Sequence, residues 1–174
     1  EQNYRKAKVV VFPVPYEGTT YYKAGTKDGP RNIIEASRHM ELYDIESGKS
    51  LKDTDVFTLA ELEPSKNSPR ETILRIEKVV SQIVRAKKIP LILGGEHSIS
   101  AGPVLALKRA KKDFSVLQID AHADLRDVFE GTKDHHASVL RRVKEMGVET
   151  VQAGIRSMSP EEAAFVKKNK MKNI

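Results

Sequence analysis

The sequence of 174 residues predicts an α/β fold in which a mainly parallel sheet lies between two layers of helices. One observation predicts this class. Short apolar runs alternate with amphipathic stretches along the chain, which is the pattern of repeated strand–helix units. Such units place successive strands parallel and carry the connecting helices onto both faces of the sheet. We therefore expect a three-layer α-β-α architecture.

Five apolar runs are predicted to be strands. The first, KVVVFPV, is closed by Pro13 and Pro15, because proline cannot donate a ladder hydrogen bond within a central strand. The third, PLILGG, ends in two glycines that allow a close backbone approach. The five runs cover residues 8–14, 55–62, 90–95, 114–120 and 150–155.

The stretches between these runs are predicted to be helices. The clearest covers residues 70–88, where isoleucine and valine recur every three or four residues from Ile73 to Ile83. The last helix opens with a capping box formed by Ser159 and Glu162, and no strand is predicted after it. The remaining helices are expected to begin near Asp28 and to cover about residues 99–111 and 136–146.

Composition restricts the class of protein. Hydrophobic residues make up 39% and charged residues 31% of the chain, which is typical of a globular protein. No apolar run approaches the length of about 18 residues that a membrane-spanning helix needs. The first residues show no apolar region of a signal peptide, so we expect a cytoplasmic protein without a membrane partner.

Charge and cysteine content narrow the chemistry. The formal charge of +6 permits binding to nucleic acid, but the lysines are mostly dispersed over predicted helix faces, and we expect no nucleic-acid partner. The chain has no cysteine, which excludes disulfides, thiolate ligands and a cysteine nucleophile. Only oxygen and imidazole ligands are left for a metal ion.

The segment LQIDAHAD points to such an ion. Asp120, His122 and Asp124 occupy positions i, i+2 and i+4. In an extended chain this spacing directs all three side chains to one side, about 6.6 Å apart in succession. Ionisable groups that face the same way after an apolar run are unfavourable unless a positive charge lies between them. A bound metal ion satisfies that requirement.

A second motif, GGEHS, places His97 directly after another predicted strand. Ligands of open α/β sheets bind at the carboxyl ends of strands, so both motifs are expected at one edge. Two imidazoles and two carboxylates without a thiolate suit Mn²⁺, Fe²⁺ or Zn²⁺. A carboxylate can bridge two ions about 3.5–4 Å apart, which makes a two-metal site reasonable.

In order and spacing, GGEHS and DAHAD resemble two metal-binding motifs of the ureohydrolase (arginase/agmatinase) family. Residues 15–44, PYEGTTYYKAGTKDGPRNIIEASRHMELYD, resemble the agmatinase branch. The resemblance covers essentially the whole chain. It implies an arginase-like fold, with residues 1–174 as a single domain that is incomplete at its C-terminus and forms the N-terminal portion of a longer family domain.

The resemblance also implies roles for individual residues. His97, Asp120 and Asp124 would bind one Mn²⁺, and His122 would bind a second Mn²⁺ that Asp120 bridges to the first. The family has a proton-shuttling histidine after DAHAD, for which the HAS context favours His136 and leaves His135 as the weaker candidate. A capping or surface pair is the other interpretation of these two histidines.

The implied reaction is hydrolysis of a guanidino compound, with agmatine giving putrescine and urea through a dimanganese-bound hydroxide. Another ureohydrolase (arginase, guanidinobutyrase or formiminoglutamase) and an inactive homologue that serves as an oligomeric partner are alternatives. Family membership further implies a homo-oligomer, either a trimer or a hexamer.

One family motif is missing from the sequence. The late SxDxDxxDP motif supplies further metal ligands in the family, but Asp127 and Asp134 are the only aspartates after residue 124. We expect the missing ligands to lie beyond Ile174. A deliberate or proteolytic fragment, or a shortened homologue without activity, would also account for the missing motif.

Two loops are candidates for contact with a substrate. Arg126, Asp127 and Glu130 follow the DAHAD motif and would border the mouth of the site, although a solvated loop is equally compatible with them. Tyr16, Glu17 and Tyr22 precede the first helix in a region that faces the site in this family.

Overall fold

The computed structural model describes residues 3–173 and confirms a mixed α/β chain with parallel strands. Five helices and eight strand segments are present in this part of the chain. The helices are α1 (Gly29–Ser37), α2 (Pro69–Arg85), α3 (Ala101–Arg109), α4 (Val139–Glu145) and α5 (Pro160–Lys168). The strands are β1 (Val9–Val14), β2 (Tyr43–Asp44), β3 (Lys49–Ser50), β4 (Val56–Thr58), β5 (Ile89–Gly94), β6 (Ser115–Ile119), β7 (Glu149–Ala153) and β8 (Lys172–Asn173).

The parallel strands form two sheets. One has the order β4-β1-β5, and the other has the order β6-β7-β8. In the second sheet, Gln118 of β6 stands opposite Gln152 of β7. Strands β2 and β3 pair separately as an antiparallel ladder. Within the described residues, no helix has both the length and the apolar character needed to cross a membrane.

Helix α2 connects the two hydrophobic cores. In the first core, alternate residues of β1, from Val10 to Val14, pack with Ile76 and Val80 of α2. In the second core, Ile73 of the same helix packs with residues of α3 and α4. Helices α2 and α3 approach so closely that a Cβ atom at Gly102 would lie 2.6 Å from the Ile76 side chain. The two sheets thus share one helical layer.

Several predictions about the elements need correction. The strand predicted at 55–62 ends at Thr58, although the backbone N–H groups of Leu59 and Leu62 still donate to carbonyls of β1. The helix predicted at 136–146 opens as a 3-10 turn over His136–Ser138 before α4 begins. A strand does follow the last helix, because β8 pairs with β7. Its two residues are too short a segment to give a strand signal in the sequence.

Candidate metal centre

The turn after β5 places His97 at the edge of the first sheet. Gly95 is required there, because a Cβ atom would lie 1.9 Å from the carbonyl oxygen of Tyr16. That carbonyl accepts a hydrogen bond from the backbone N–H of Glu96 at 2.8 Å. The buried Glu96 carboxylate then accepts from the backbone N–H and the hydroxyl of Ser98, both at 2.7 Å. These contacts hold the 3-10 turn that begins with His97.

His97, Asp120 and Asp124 form a compact group that could hold a metal ion. Each residue offers one ligand atom, and these atoms lie within 4.8 Å of one another. His97 Nδ1 lies 2.7 Å from Asp124 Oδ2 and 3.3 Å from Asp120 Oδ2. Two carboxylate oxygens and one imidazole nitrogen are ligands that Mn²⁺, Fe²⁺ and Zn²⁺ accept, so the residues fit a divalent cation.

The backbone of Asp124 has an unusual conformation, and hydrogen bonds hold it in place. Its φ angle is 51°, in the left-handed region that few residues other than glycine adopt, and only 6% of its surface is exposed. The Asp124 carbonyl accepts hydrogen bonds from the backbone N–H groups of Leu140 and Arg141. The first turn of α4 therefore fixes the tight bend that directs the Asp124 carboxylate toward His97.

The charges of the group favour a cation at its centre. Burial opposes the charged form of His97, but the carboxylates of Asp124 and Asp120 outweigh it and raise the His97 pKa. Burial also opposes charge on Asp120, yet hydrogen bonds from the His122 N–H and the Gln118 amide, together with the charge of His97, lower the Asp120 pKa. The two carboxylates thus favour a positive charge beside them, and a metal ion would compete with a proton for His97.

His122 lies outside this group. Its side chain is 66% exposed, and its Nδ1 atom lies 3.7 Å from Asp120 Oδ1. The backbone N–H of His122 donates to the same oxygen at 3.0 Å. The structure thus brings three of the four predicted ligands together and leaves His122 at the rim.

A cavity of about 680 Å³ opens above the group. This volume lies within the range of small-molecule sites in proteins. It is lined by all four predicted ligands and by residues of three loops and the first turn of α5, among them Tyr21, Arg126, Phe129, His136, Met158, Ser159 and Glu162.

His136 lines this cavity and is held by the loop after β1. Its Nδ1 atom lies 2.6 Å from the Thr19 carbonyl oxygen, and its backbone N–H donates to Thr19 Oγ1 at 3.1 Å. Because a carbonyl oxygen only accepts, Nδ1 must carry the proton in this contact. The Nε2 atom of His136 is then left for the cavity.

His135 has the opposite surroundings. Its side chain is 1% exposed, its Nδ1 atom accepts from the backbone N–H of Ala137 at 3.2 Å, and its Nε2 atom lies 3.4 Å from Glu130 Oε2. Its ring meets the Phe129 ring edge-on at 4.8 Å. Burial, followed by the neighbouring charge of His136, lowers the pKa of His135. His135 therefore caps the 3-10 turn and does not line the cavity.

Of the three loop residues predicted after DAHAD, only Arg126 reaches the cavity. Its guanidinium lies 4.6 Å from the centre of the Phe129 ring. Asp127 instead accepts from Arg142 Nη2 at 2.8 Å, and Glu130 contacts His135. Asp127 thus pairs with Arg142 of α4, and Glu130 pairs with His135.

In the loop before α1, the residue that lines the cavity is Tyr21, whereas Tyr22 is 87% exposed and is not part of the cavity wall. Tyr16 is buried; burial first, then the charges of Glu96 and Asp134, raises its pKa to about 12. Glu17 holds the loop together through an ion pair with Lys27 at 2.7 Å.

The sequence interpretation missed several residues of the cavity wall, among them Tyr21, Phe129 and Glu162. Phe129 is an aromatic residue in a polar loop, which was an available signal. The capping role predicted for Glu162 is confirmed, but its carboxylate also accepts from the backbone N–H of Leu125 at 2.9 Å. That second contact ties α5 to the DAHAD segment and has no signature in the sequence.

Comparison with protein families identifies the fold. The model of the arginase family matches residues 7–174. The chain belongs to the arginase family. Within this family it is 40% identical over 99% of its length to N(1)-aminopropylagmatine ureohydrolase of Synechocystis sp., and 37% identical over 93% to the protein of that name from Thermococcus kodakarensis.

A solved arginase-family structure is also similar. The crystal structure of agmatine ureohydrolase of Thermoplasma volcanium matches 99% of this chain with a TM-score of 0.90 and 36% identity. The chain spans 58% of that structure, and 57% and 56% of the length of the two curated relatives.

Proposed function

We propose that the whole protein hydrolyses a linear guanidino compound, with agmatine as the first candidate and putrescine and urea as products. The observation that carries this proposal is the convergence of His97, Asp120, Asp124 and His136 on one cavity. The similarity to an agmatine ureohydrolase of known structure supports it.

In this proposal Mn²⁺ is the resident metal. His97, Asp120 and Asp124 would hold one ion, and Asp120 together with His122 would contribute to a second. When bound, two such ions lower the pKa of a water molecule and supply a nucleophile at neutral pH. The guanidinium carbon is a poor electrophile, so hydrolysis depends on that nucleophile.

The protein side chains position the substrate and move the proton. His136 donates its Nδ1 proton to the Thr19 carbonyl, so its Nε2 atom can accept the proton that the attacking water releases and pass it to the departing amine. Tyr21 and Phe129, with Arg126 stacked on the latter, form the wall along which the aliphatic tail of the substrate lies.

N(1)-aminopropylagmatine is the second candidate substrate. Two relatives, at 40% and 37% identity, carry its name. This substrate has the same guanidinium head and a longer amine tail, so the same groups would release urea from it. The two candidates therefore differ at the mouth of the cavity and not at the metal centre.

Urea release by the Mn²⁺-loaded whole protein tests the proposal. We expect turnover of agmatine or N(1)-aminopropylagmatine, and little or none of arginine or 4-guanidinobutyrate. Comparing kcat/KM across the four compounds ranks the substrates. Metal-loaded, folded protein that is inert toward every guanidine would contradict the proposed function.

A further inference from the structure

Two buried glutamines of neighbouring strands lie close to the metal centre. Gln118 of β6 and Gln152 of β7 are register partners, and they are only 5% and 0% exposed. Long polar side chains are seldom buried this completely without a specific partner. Gln118 precedes Asp120 by two residues, which suggests a role in the site.

The glutamines form a chain of hydrogen bonds that ends at the predicted ligands. The Gln152 amide donates to Gln118 Oε1 at 2.5 Å and to the Ala123 carbonyl at 2.8 Å. The Gln118 amide donates to Asp120 Oδ2 at 3.2 Å and to the His122 carbonyl at 3.1 Å. Gln118 therefore donates both amide hydrogens to the DAHAD segment. Gln152 donates one amide hydrogen to that segment and the other to Gln118.

The orientation of both amides is determined by their surroundings. The Asp120 carboxylate and the His122 carbonyl only accept, so the amide nitrogen of Gln118 must face them. Its oxygen then faces Gln152, which must present its own nitrogen to that oxygen and to the Ala123 carbonyl. The hydrogen bonds can therefore run only from Gln152 through Gln118 to Asp120. They hold Asp120 Oδ2 on the side where His97 Nδ1 lies at 3.3 Å.

This arrangement has an unfavourable element that packing does not explain. Among the residues described by the structure, the buried Oε1 atom of Gln152 has no hydrogen-bond partner. An apolar residue of similar shape would avoid an unpaired buried oxygen. A glutamine at position 152 is explained if its amide N–H groups are needed to hold Gln118 and the Ala123 carbonyl.

We infer that Gln118 is a positioning residue for the metal ligand Asp120, and that Gln152 acts on the site by holding Gln118. The inference rests on the proposed metal centre. Hydrogen bonds to the ligands of a metal commonly change its affinity by about 10- to 100-fold. Gln118 and Gln152 set the orientation of Asp120 before an ion binds.

The experiment is titration of MnCl₂ into the metal-free whole protein by calorimetry. Methionine is close to glutamine in shape and lacks its donors, so Gln118→Met should raise the Kd for Mn²⁺ by about 10-fold or more. Thr150→Val is the matched control, because Thr150 is a buried polar residue of β7 without a contact to the ligands. It should change the Kd by less than about 2-fold.

Gln152→Met tests whether Gln152 acts on Mn²⁺ binding through Gln118 or through a general change in the sheet. It should weaken binding less than Gln118→Met, and the double substitution should bind about as weakly as Gln118→Met alone. Thermal unfolding of each variant reports on stability separately. If Gln118→Met does not fold, Gln152→Met decides the question.

The possible outcomes separate the two proposals. Mn²⁺ binding by Gln118→Met within about 2-fold of the parent overturns the inference and leaves the metal centre intact. The same holds if Gln152→Met folds and binds like the parent. A parent protein that binds no Mn²⁺, with Asp120→Ala identical to it, overturns the metal centre and this inference with it.

Discussion

His135 and His136 are neighbours in the sequence and differ in almost every physical property. His135 is buried, caps a turn with Nδ1 and contacts Glu130 with Nε2, and its pKa is lowered. His136 lines the cavity and uses Nδ1 to hold the Thr19 carbonyl. The pair teaches that the chemistry of a histidine depends on which nitrogen the fold leaves available.

Of the substitutions at the two histidines, His136→Ala is expected to have the largest effect, a decrease in kcat. His136→Ala removes the proposed proton donor, and loss of such a group lowers kcat by about 10²- to 10⁴-fold. The Mn²⁺ content should stay the same, because His136 does not belong to the ligand group. Steady-state kinetics and metal analysis of the same preparation check both. A kcat within about 3-fold of the parent would remove His136 from the mechanism.

The corresponding change at the buried neighbour should affect stability instead. His135→Ala leaves a cavity beside Phe129 and an uncapped turn, and it should lower the free energy of unfolding by about 2–4 kcal/mol. His135→Asn, which can still accept from the Ala137 N–H, should recover part of that loss. Denaturant unfolding measures both variants. If the folded fraction of His135→Ala loses activity as His136→Ala does, the distinction between the two histidines is wrong.

The contribution of His135 to the free energy of unfolding should depend on pH. The folded protein lowers the pKa of His135, so between about pH 6.5 and the lower folded value the unfolded chain binds more protons. Stability from this residue is therefore full above about pH 6.5 and falls as the pH decreases. His97, with a raised pKa, has the opposite sign.

The stability difference between the parent and His135→Asn isolates the contribution of His135. We expect this difference to shrink from pH 7.5 to pH 5 in denaturant titrations. A difference independent of pH would contradict the buried, neutral state of His135.

The smallest effect is expected at the residue that holds His136. Thr19→Val keeps the shape and the carbonyl but removes the hydroxyl that accepts from the His136 backbone N–H. We expect kcat to fall by about 2- to 10-fold with KM little changed, because one hydrogen bond of about 1 kcal/mol is lost. A large rise in KM without a change in kcat would instead indicate that Thr19 contacts the substrate.

Much of the site could be predicted because strand periodicity and strand ends are local properties. LQIDAHAD carried three ionisable groups past the end of β6, and GGEHS carried His97 past the end of β5, a strand of the other sheet. The contacts of His97 with Asp120 and Asp124 agree with that expectation. Local patterns were sufficient wherever the relevant neighbours lay at strand ends.

Other features depended on contacts between distant segments. Thr19 lies 117 residues from His136, and no local pattern connects them. The pairing of Gln118 with Gln152 requires the register of β6 and β7, which the sequence does not display. The exposed position of His122 also follows from the conformation of the loop and not from the spacing in DAHAD.

The metal content of two matched variants tests whether Asp120 belongs to a metal centre. Asp113→Ala removes an exposed carboxylate just before β6, whereas Asp120→Ala removes the one just after that strand. After Mn²⁺ loading and dialysis, elemental analysis of the whole protein should find the parent content in Asp113→Ala and nearly none in Asp120→Ala. Equal metal content in the two folded variants would contradict the account.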